Sequence, residues 1–204
     1  MAEDALSTLR RLARPPEAEE RCELCGTAIP EDHRHLFDTG GRTLVCSCQA
    51  CTLLFSSEAA TRYRAVPTRV LFLPGFRMTD IQWDELLVPV NLAFFVHDSE
   101  SGAVRGLYPS PAGATPSQLA LEAWGELAAA NPILDTLEPD VEALLVNRVA
   151  RARDHFLVPI DECYRLVGMV RAGWKGLGGG PEVWASVAEF FAGLHARARV
   201  YDDA

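Results

Sequence analysis

Apolar and polar positions change their spacing several times along the chain, and each change marks a new element. Leu6, Leu9, Leu12 and Ala13 recur at helical spacing until Pro15 and Pro16, which predicts a short amphipathic helix over residues 4–14 and a linker to residue 20. Arg34 to Asp38 and Arg42 to Cys46 flank Thr39-Gly40-Gly41, a glycine-containing turn suited to a β-hairpin. Thr52 to Arg64 reads as a short helix. Beyond Pro67 the pattern turns to strands at Arg69 to Leu73, Leu86 to Val96 and Ala103 to Tyr108, the last two joined as a hairpin across residues 97–102.

Tyr108 to Ser117 is rich in Pro, Gly and Ser; it reads as a loop and as the candidate interaction surface. Thr115-Pro116-Ser117-Gln118 has the capping-box pattern with a proline at the first helical position, so a helix is expected from 116 to about 130, where Asn131-Pro132 stops it. Val141 to Arg148 and Asp154 to Pro159 suggest a second strand pair, although the apolar pattern of residues 140–149 suits a helix as well. Two helices close the chain, over about 160–174 and 181–198, the latter with Val183, Trp184, Val187, Phe190, Phe191 and Leu194 in one stripe.

The cysteines give this order of elements a meaning. Five of the six lie between residues 22 and 51, and Cys22-Glu-Leu-Cys25, followed by Gly26, is separated by twenty-two residues from Cys48-Gln-Ala-Cys51. Two C-x-x-C pairs at that distance suit one tetrahedral ion held by Cys22, Cys25, Cys48 and Cys51. Four thiolates leave no open coordination position, which favours a structural zinc centre over an iron one, and either over a catalytic metal. A knuckle, a hairpin and a helix whose first turn supplies the last two ligands is the treble-clef order; a zinc ribbon with both knuckles on hairpins is the competitor. The expected class is α+β: a helix and linker over residues 1–20, a zinc-ribbon or treble-clef-like module over 21–65, and an antiparallel sheet packed with helices over 66–204.

Three nearby donors complicate the ligand set. Cys46 offers a third thiol within six residues, but the matched x-x spacing selects Cys48 and Cys51 and leaves Cys46 as a hairpin residue beside the site. His33 and His35, in a polar EDHRH stretch, read as solvent-facing or as outer neighbours of the centre. An HNH-type nuclease also opens with such knuckles and a histidine pair, yet no matching Asn and third His follow at short distance. Iron in the same cage would make a rubredoxin-like electron carrier; Gly26 suits that reading, while Thr52 in the equivalent place after the second knuckle departs from it.

Composition narrows the remaining classes. With 204 residues and 49% apolar content the chain is long enough for a small metal module and a cored domain of roughly 140 residues. A net charge of −9 argues against general affinity for nucleic acid or anionic membranes and favours a protein partner. The N-terminal stretch lacks an apolar core of secretory type, no apolar run reaches membrane-spanning length, and clustered cysteines fit a reducing compartment, so the expected location is the cytoplasm. The glycine-rich segment from Trp174 to Gly180 lacks the order of a phosphate loop and reads as an interhelical connection. Asp161, Glu162 and Cys163 read as a helix first turn with a buried thiol, and no catalytic residues are assigned.

The segments RCELCGTAIPEDHRHLFD, CSCQACTLLF, AFFVHD, LYPSPAGAT, LEPDVEALLVNR, FLVPIDECYRLVG and WKGLGGGPEVW together resemble a bacterial family of unassigned activity encoded beside nickel-iron hydrogenase genes. The resemblance covers about residues 20–194. It implies an accessory of an uptake-type hydrogenase, with hydrogenase subunits or maturation factors as partners. Hydrogenase nickel-delivery proteins pair a four-cysteine zinc site with an N-terminal Met-His motif; here Met1 is followed by Ala2, so that route of nickel insertion is not expected.

Overall fold

A computed structural model describes residues 19–56, 62–118, 121–176 and 178–201, so the helix expected over 4–14 lies outside the described residues. Strands β1 (Arg34–Asp38) and β2 (Thr43–Ser47) pair antiparallel, with His35 opposite Cys46 and Phe37 opposite Leu44. Asp38 fixes the turn between them: one carboxylate oxygen accepts the N–H groups of Gly40 at 3.1 Å and Gly41 at 3.3 Å.

The helix expected over 52–64 is both earlier and shorter, α1 (Gln49–Phe55), because Cys48 caps it. Its expected C-terminal part is instead β3 (Tyr63–Ala65), which pairs with β1 and completes a sheet ordered β2-β1-β3. A strand this short carries no readable alternation.

The remaining elements are β4 (Leu71–Phe72), α2 (Asp80–Glu85), β5 (Leu92–His97), β6 (Val104–Ser110), β7 (Gly113–Pro116), α3 (Leu121–Ala130), a 3-10 turn (Pro132–Thr136), β8 (Glu142–Asn147), β9 (Asp154–Pro159), α4 (Ile160–Gly173), α5 (Gly180–Arg197) and β10 (Arg199–Val200). Seven strands form one sheet in the order β10-β4-β9-β8-β5-β6-β7, antiparallel except between β10 and β4. Residues 140–149 thus contain a strand, one of the two readings their pattern allowed.

That ambiguity has a physical origin, since the sheet is covered on both faces. Along β5, Phe94 and Val96 join one cluster with Cys163, Leu166, Val170 and Phe191 from α4 and α5. Ala93 and Phe95 join the other with Trp83, Leu127, Ile133 and Leu134. Strands buried on both faces need apolar residues at every position, so the period of two that marks a half-exposed strand disappears.

Two further expectations are corrected. The strand predicted from Leu86 begins only at Leu92, because Thr79 opens α2 with a capping box: its hydroxyl accepts the Gln82 N–H at 3.1 Å and Gln82 Oε1 accepts the Thr79 N–H at 2.9 Å. The loop predicted over 108–117 is a tight hairpin, with β6 turning on Pro111-Ala112 into β7. Ser110 and Thr115 hydroxyls meet at 2.7 Å across it, so Thr115 does not cap a helix, and α3 is described from Leu121.

The hairpin of β1 and β2 packs on this body through Phe37, which shares a cluster with Val96, Leu107 and Ile160, and through Leu44. Arg42 binds Asp98 at 2.8 Å, and His35 binds Asp161 in the first turn of α4 at 2.9 Å. At the far end, Gly179 makes the connection from α4 to α5 with a φ of 81°, and a Cβ there would come within 2.8 Å of Val183 Cγ1. No helix among the described residues is long and apolar enough to cross a membrane.

Candidate metal centre

The first knuckle is a short chain reversal closed by hydrogen bonds. Arg21 bridges Ala28, the Cys22 N–H donates to Thr27 O at 2.8 Å, and the Gly26 N–H donates to Cys22 O at 2.8 Å. Gly26 takes a φ of 75°, a left-handed conformation that glycine adopts without steric cost. Glu23 ties the knuckle to β2 in both directions: its N–H donates to Cys46 O at 2.9 Å, and its carboxylate accepts the Cys46 N–H at 2.6 Å. The second pair is placed by α1. Cys48 is the N-cap and its sulfur accepts the Cys51 N–H at 3.4 Å, while the buried Ser47 and Thr52 hydroxyls, 2.8 Å apart, pin the helix start to the end of β2.

These elements bring the sulfurs of Cys22, Cys25, Cys48 and Cys51 within 4.8 Å of one another. Cys25 and Cys48 are 3.8 Å apart, and a tetrahedral ion with metal–sulfur bonds of about 2.3 Å requires sulfur–sulfur edges of about 3.8 Å. Cys22 and Cys51 are buried and Cys25 faces solvent, so the cage is closed on the protein side.

Electrostatics point the same way. Burial opposes ionisation of Cys22, but hydrogen bonds from the backbone of Cys48, Cys25 and Leu24 outweigh it and bring the thiol down to about 6. Hydrogen bonds from Thr27 lower the Cys25 thiol. Burial and then the sulfurs of Cys25, Cys48 and Cys22 push Cys51 up to about 12. A cluster that ionises its first thiol readily and resists ionising its last lacks a positive charge, which a bound cation supplies. The donor set and geometry therefore fit a metal ion.

Cys46 groups instead with His33 and His35, whose donor atoms lie within 4.8 Å of its sulfur and of each other. The histidines are not solvent-facing: the His33 side chain is 7% exposed and that of His35 is 24% exposed. The missed signal was the H-x-H spacing at the start of a strand, which puts both rings on one face of the hairpin, with Cys46 directly across from His35. Asp161 is held by His35, Glu162 by Arg165 and Arg197, and Cys163 is buried in the core. The segment from Trp174 to Gly180 joins α4 to α5.

Knuckle, hairpin and a helix carrying the last two cysteines define a treble-clef cysteine cluster set on a two-faced α+β sheet. The chain belongs to the DUF5947 family, a family of unknown function, whose model matches residues 21–198 and so takes in the cysteine cluster and the sheet together. No curated protein and no solved structure matches the chain.

Proposed function

We propose that the chain is a zinc-holding accessory that acts by docking a protein partner and performs no turnover. The observation that carries this reading is the closed cage of four cysteines beside an exposed apolar helix. Four protein thiolates leave no coordination position for a substrate. On α1, next to Cys51, Leu53 and Leu54 stand 70% and 71% exposed. Two adjacent solvent-facing leucines on a helix anchored by a metal cage suit a protein interface, and the net charge of −9 is unsuited to nucleic acid. The nickel-iron hydrogenase setting rests on the sequence resemblance, with hydrogenase subunits or maturation factors as the partner and the cytoplasm as the compartment.

Metal analysis and a pull-down test the reading together. Purified protein should be colourless with about one zinc bound by the four cysteines, and should capture a hydrogenase subunit. A strongly coloured ferric protein bleached by reductant would replace it with an iron electron carrier using the same sulfurs. Protein that contains neither metal would overturn both.

A further inference from the structure

The junction between the β1–β2 hairpin and α4 holds a second set of donors that the four-cysteine cage does not use. His33, immediately before β1, and His35 on β1 line one cleft with Asp161 and Glu162 of α4, and Cys46 is the cross-strand partner of His35. One ring nitrogen of each histidine and the Cys46 sulfur lie within 4.8 Å of one another, and the two rings are 4.7 Å apart between centroids.

Each imidazole is already oriented through Nδ1. His33 Nδ1 faces Pro30 O at 2.9 Å and Glu20 Oε2 at 3.1 Å, and His35 Nδ1 faces Asp161 Oδ2 at 2.9 Å. An acceptor at Nδ1 fixes the proton there and leaves the Nε2 lone pair for a metal, the arrangement that metal-binding histidines adopt. His33 Nε2 is buried with no hydrogen-bond partner, on a side chain only 7% exposed. A buried polar atom without a partner is costly and needs an explanation, which a metal bond supplies. The histidines also line a cleft of about 630 Å³ with Asp161, Glu162 and Tyr164, giving a route for a solvated ion.

We propose that His33, His35 and Cys46 form a second metal site, distinct from the four-cysteine cage, for a borderline divalent cation of the zinc type. Two imidazoles and one thiolate suit such an ion, and three protein ligands leave a fourth position for water or for a donor from outside the chain. Binding displaces the thiol proton of Cys46 to solvent and involves no redox step. Asp161 acts through His35 as a positioning residue, so the site sits where the hairpin meets the sheet body. Because the site is open and has one ligand fewer, it should release its metal to a mild chelator that leaves the closed cage loaded.

The test uses the full chain treated with such a chelator and then titrated with Co²⁺ alone. Wild type should bind about one equivalent, with the absorption bands of four-coordinate cobalt and a charge-transfer band from a thiolate. H33Q and H35Q should each weaken uptake at least tenfold, D161N should weaken it by about 10–100-fold with unchanged stoichiometry, and C46S should lose the charge-transfer band. Zinc retained in the four-cysteine cage, assayed before cobalt is added, is the folding control for each variant. It also separates failure of this site from failure of the proposed function. If H33Q does not keep its zinc, wild type decides by NMR, where Co²⁺ must shift two imidazole ring signals out of the diamagnetic range. No cobalt uptake, uptake indifferent to both histidine variants, or unshifted imidazole signals would overturn the proposal.

Discussion

Among the described residues between 21 and 65 the buried apolar side chains are few, chiefly Leu36 and Phe37 beside Cys22 and Cys51, whereas the seven-stranded sheet hides Phe94, Phe95, Leu144, Leu145, Phe156 and Leu157 completely. The sheet body therefore has two hydrophobic layers of its own, and the cysteine region has a thin one. Too little apolar surface is removed from water there to offset the ordering of the knuckle, so a cross-link must do it. A metal ion bound by the four thiolates would be such a cross-link, and it would also fix the start of the helix that presents Leu53 and Leu54. The contrast is between a region held by packing and a region whose cysteine cluster, on the proposed reading, is held by coordination.

Stripping the metal should break the two regions apart most visibly. Structural zinc contributes on the order of 10 kcal/mol to the folding of small thiolate modules, far more than the buried side chains of this one can replace. Hydrogen exchange on protein treated with a strong chelator, or on C22S, should show β1 and β2 amides losing protection while those of Ala143 to Val146 keep theirs. Equal loss in both regions would mean that the sheet depends on the cage, and the contrast would fail.

The converse substitution sits in the sheet. Phe94 is completely buried between β8 and α4, with its ring edge-on to Tyr164 at 6.3 Å. Phe94→Ala should cost about 3–5 kcal/mol in chemical denaturation, from lost transfer energy and the cavity left behind. Metal content, measured on the same sample, should not change.

Acid should sharpen the comparison through His155. Its ring stacks on Phe76 at 4.6 Å, and burial, aided by the positive charges of Arg148 and Arg153 and opposed by the negative charge of Asp154, brings its pKa down to about 4. Unfolded, the imidazole titrates near 6.5, so between these values the unfolded chain binds a proton that the folded chain refuses. Its contribution is therefore complete above about pH 6.5 and lost as pH falls towards about 4, a change of roughly 3 kcal/mol. His155→Phe should flatten that slope in sheet amide exchange. A metal-held cysteine region should lose protection in acid for another reason, proton competition with the ion, so its profile should not respond to this substitution.

The same contrast explains what could be read from the chain alone. The clustering of the four cysteines was legible because metal-ligand spacing is a pattern in sequence: two C-x-x-C pairs around a hairpin leave a mark that burial does not. The sheet was less legible because Phe94 and Phe95, or Leu144 and Leu145, face opposite apolar layers and erase the alternation. Helix α2 carries a readable capping box, Thr79 to Gln82, but its six residues are too few to show a helical period. The β6–β7 hairpin was hidden by Pro109 and Pro111, residues that usually argue against a strand. His33 and His35 were undervalued because polar neighbours in sequence suggested solvent, while the fold turned their face toward α4.

The smallest stability effect belongs to the residues on which the proposed docking rests. Leu53 and Leu54 project from α1 into solvent, so neither contributes packing that their removal could cost. L53D together with L54D should change folding stability by about 0.5 kcal/mol or less and leave the zinc content intact, as surface substitutions away from buried features do. Their cost should appear only in capture of the partner, where two carboxylates would have to be desolvated against an apolar counterpart without a pairing charge. Unchanged capture by a folded, zinc-loaded double variant would move the docking surface off α1 and leave the cage with a purely structural role. Lost capture with unchanged stability would tie the cage to docking, because the ion would then be holding in place a helix whose exposed face the fold itself does not need.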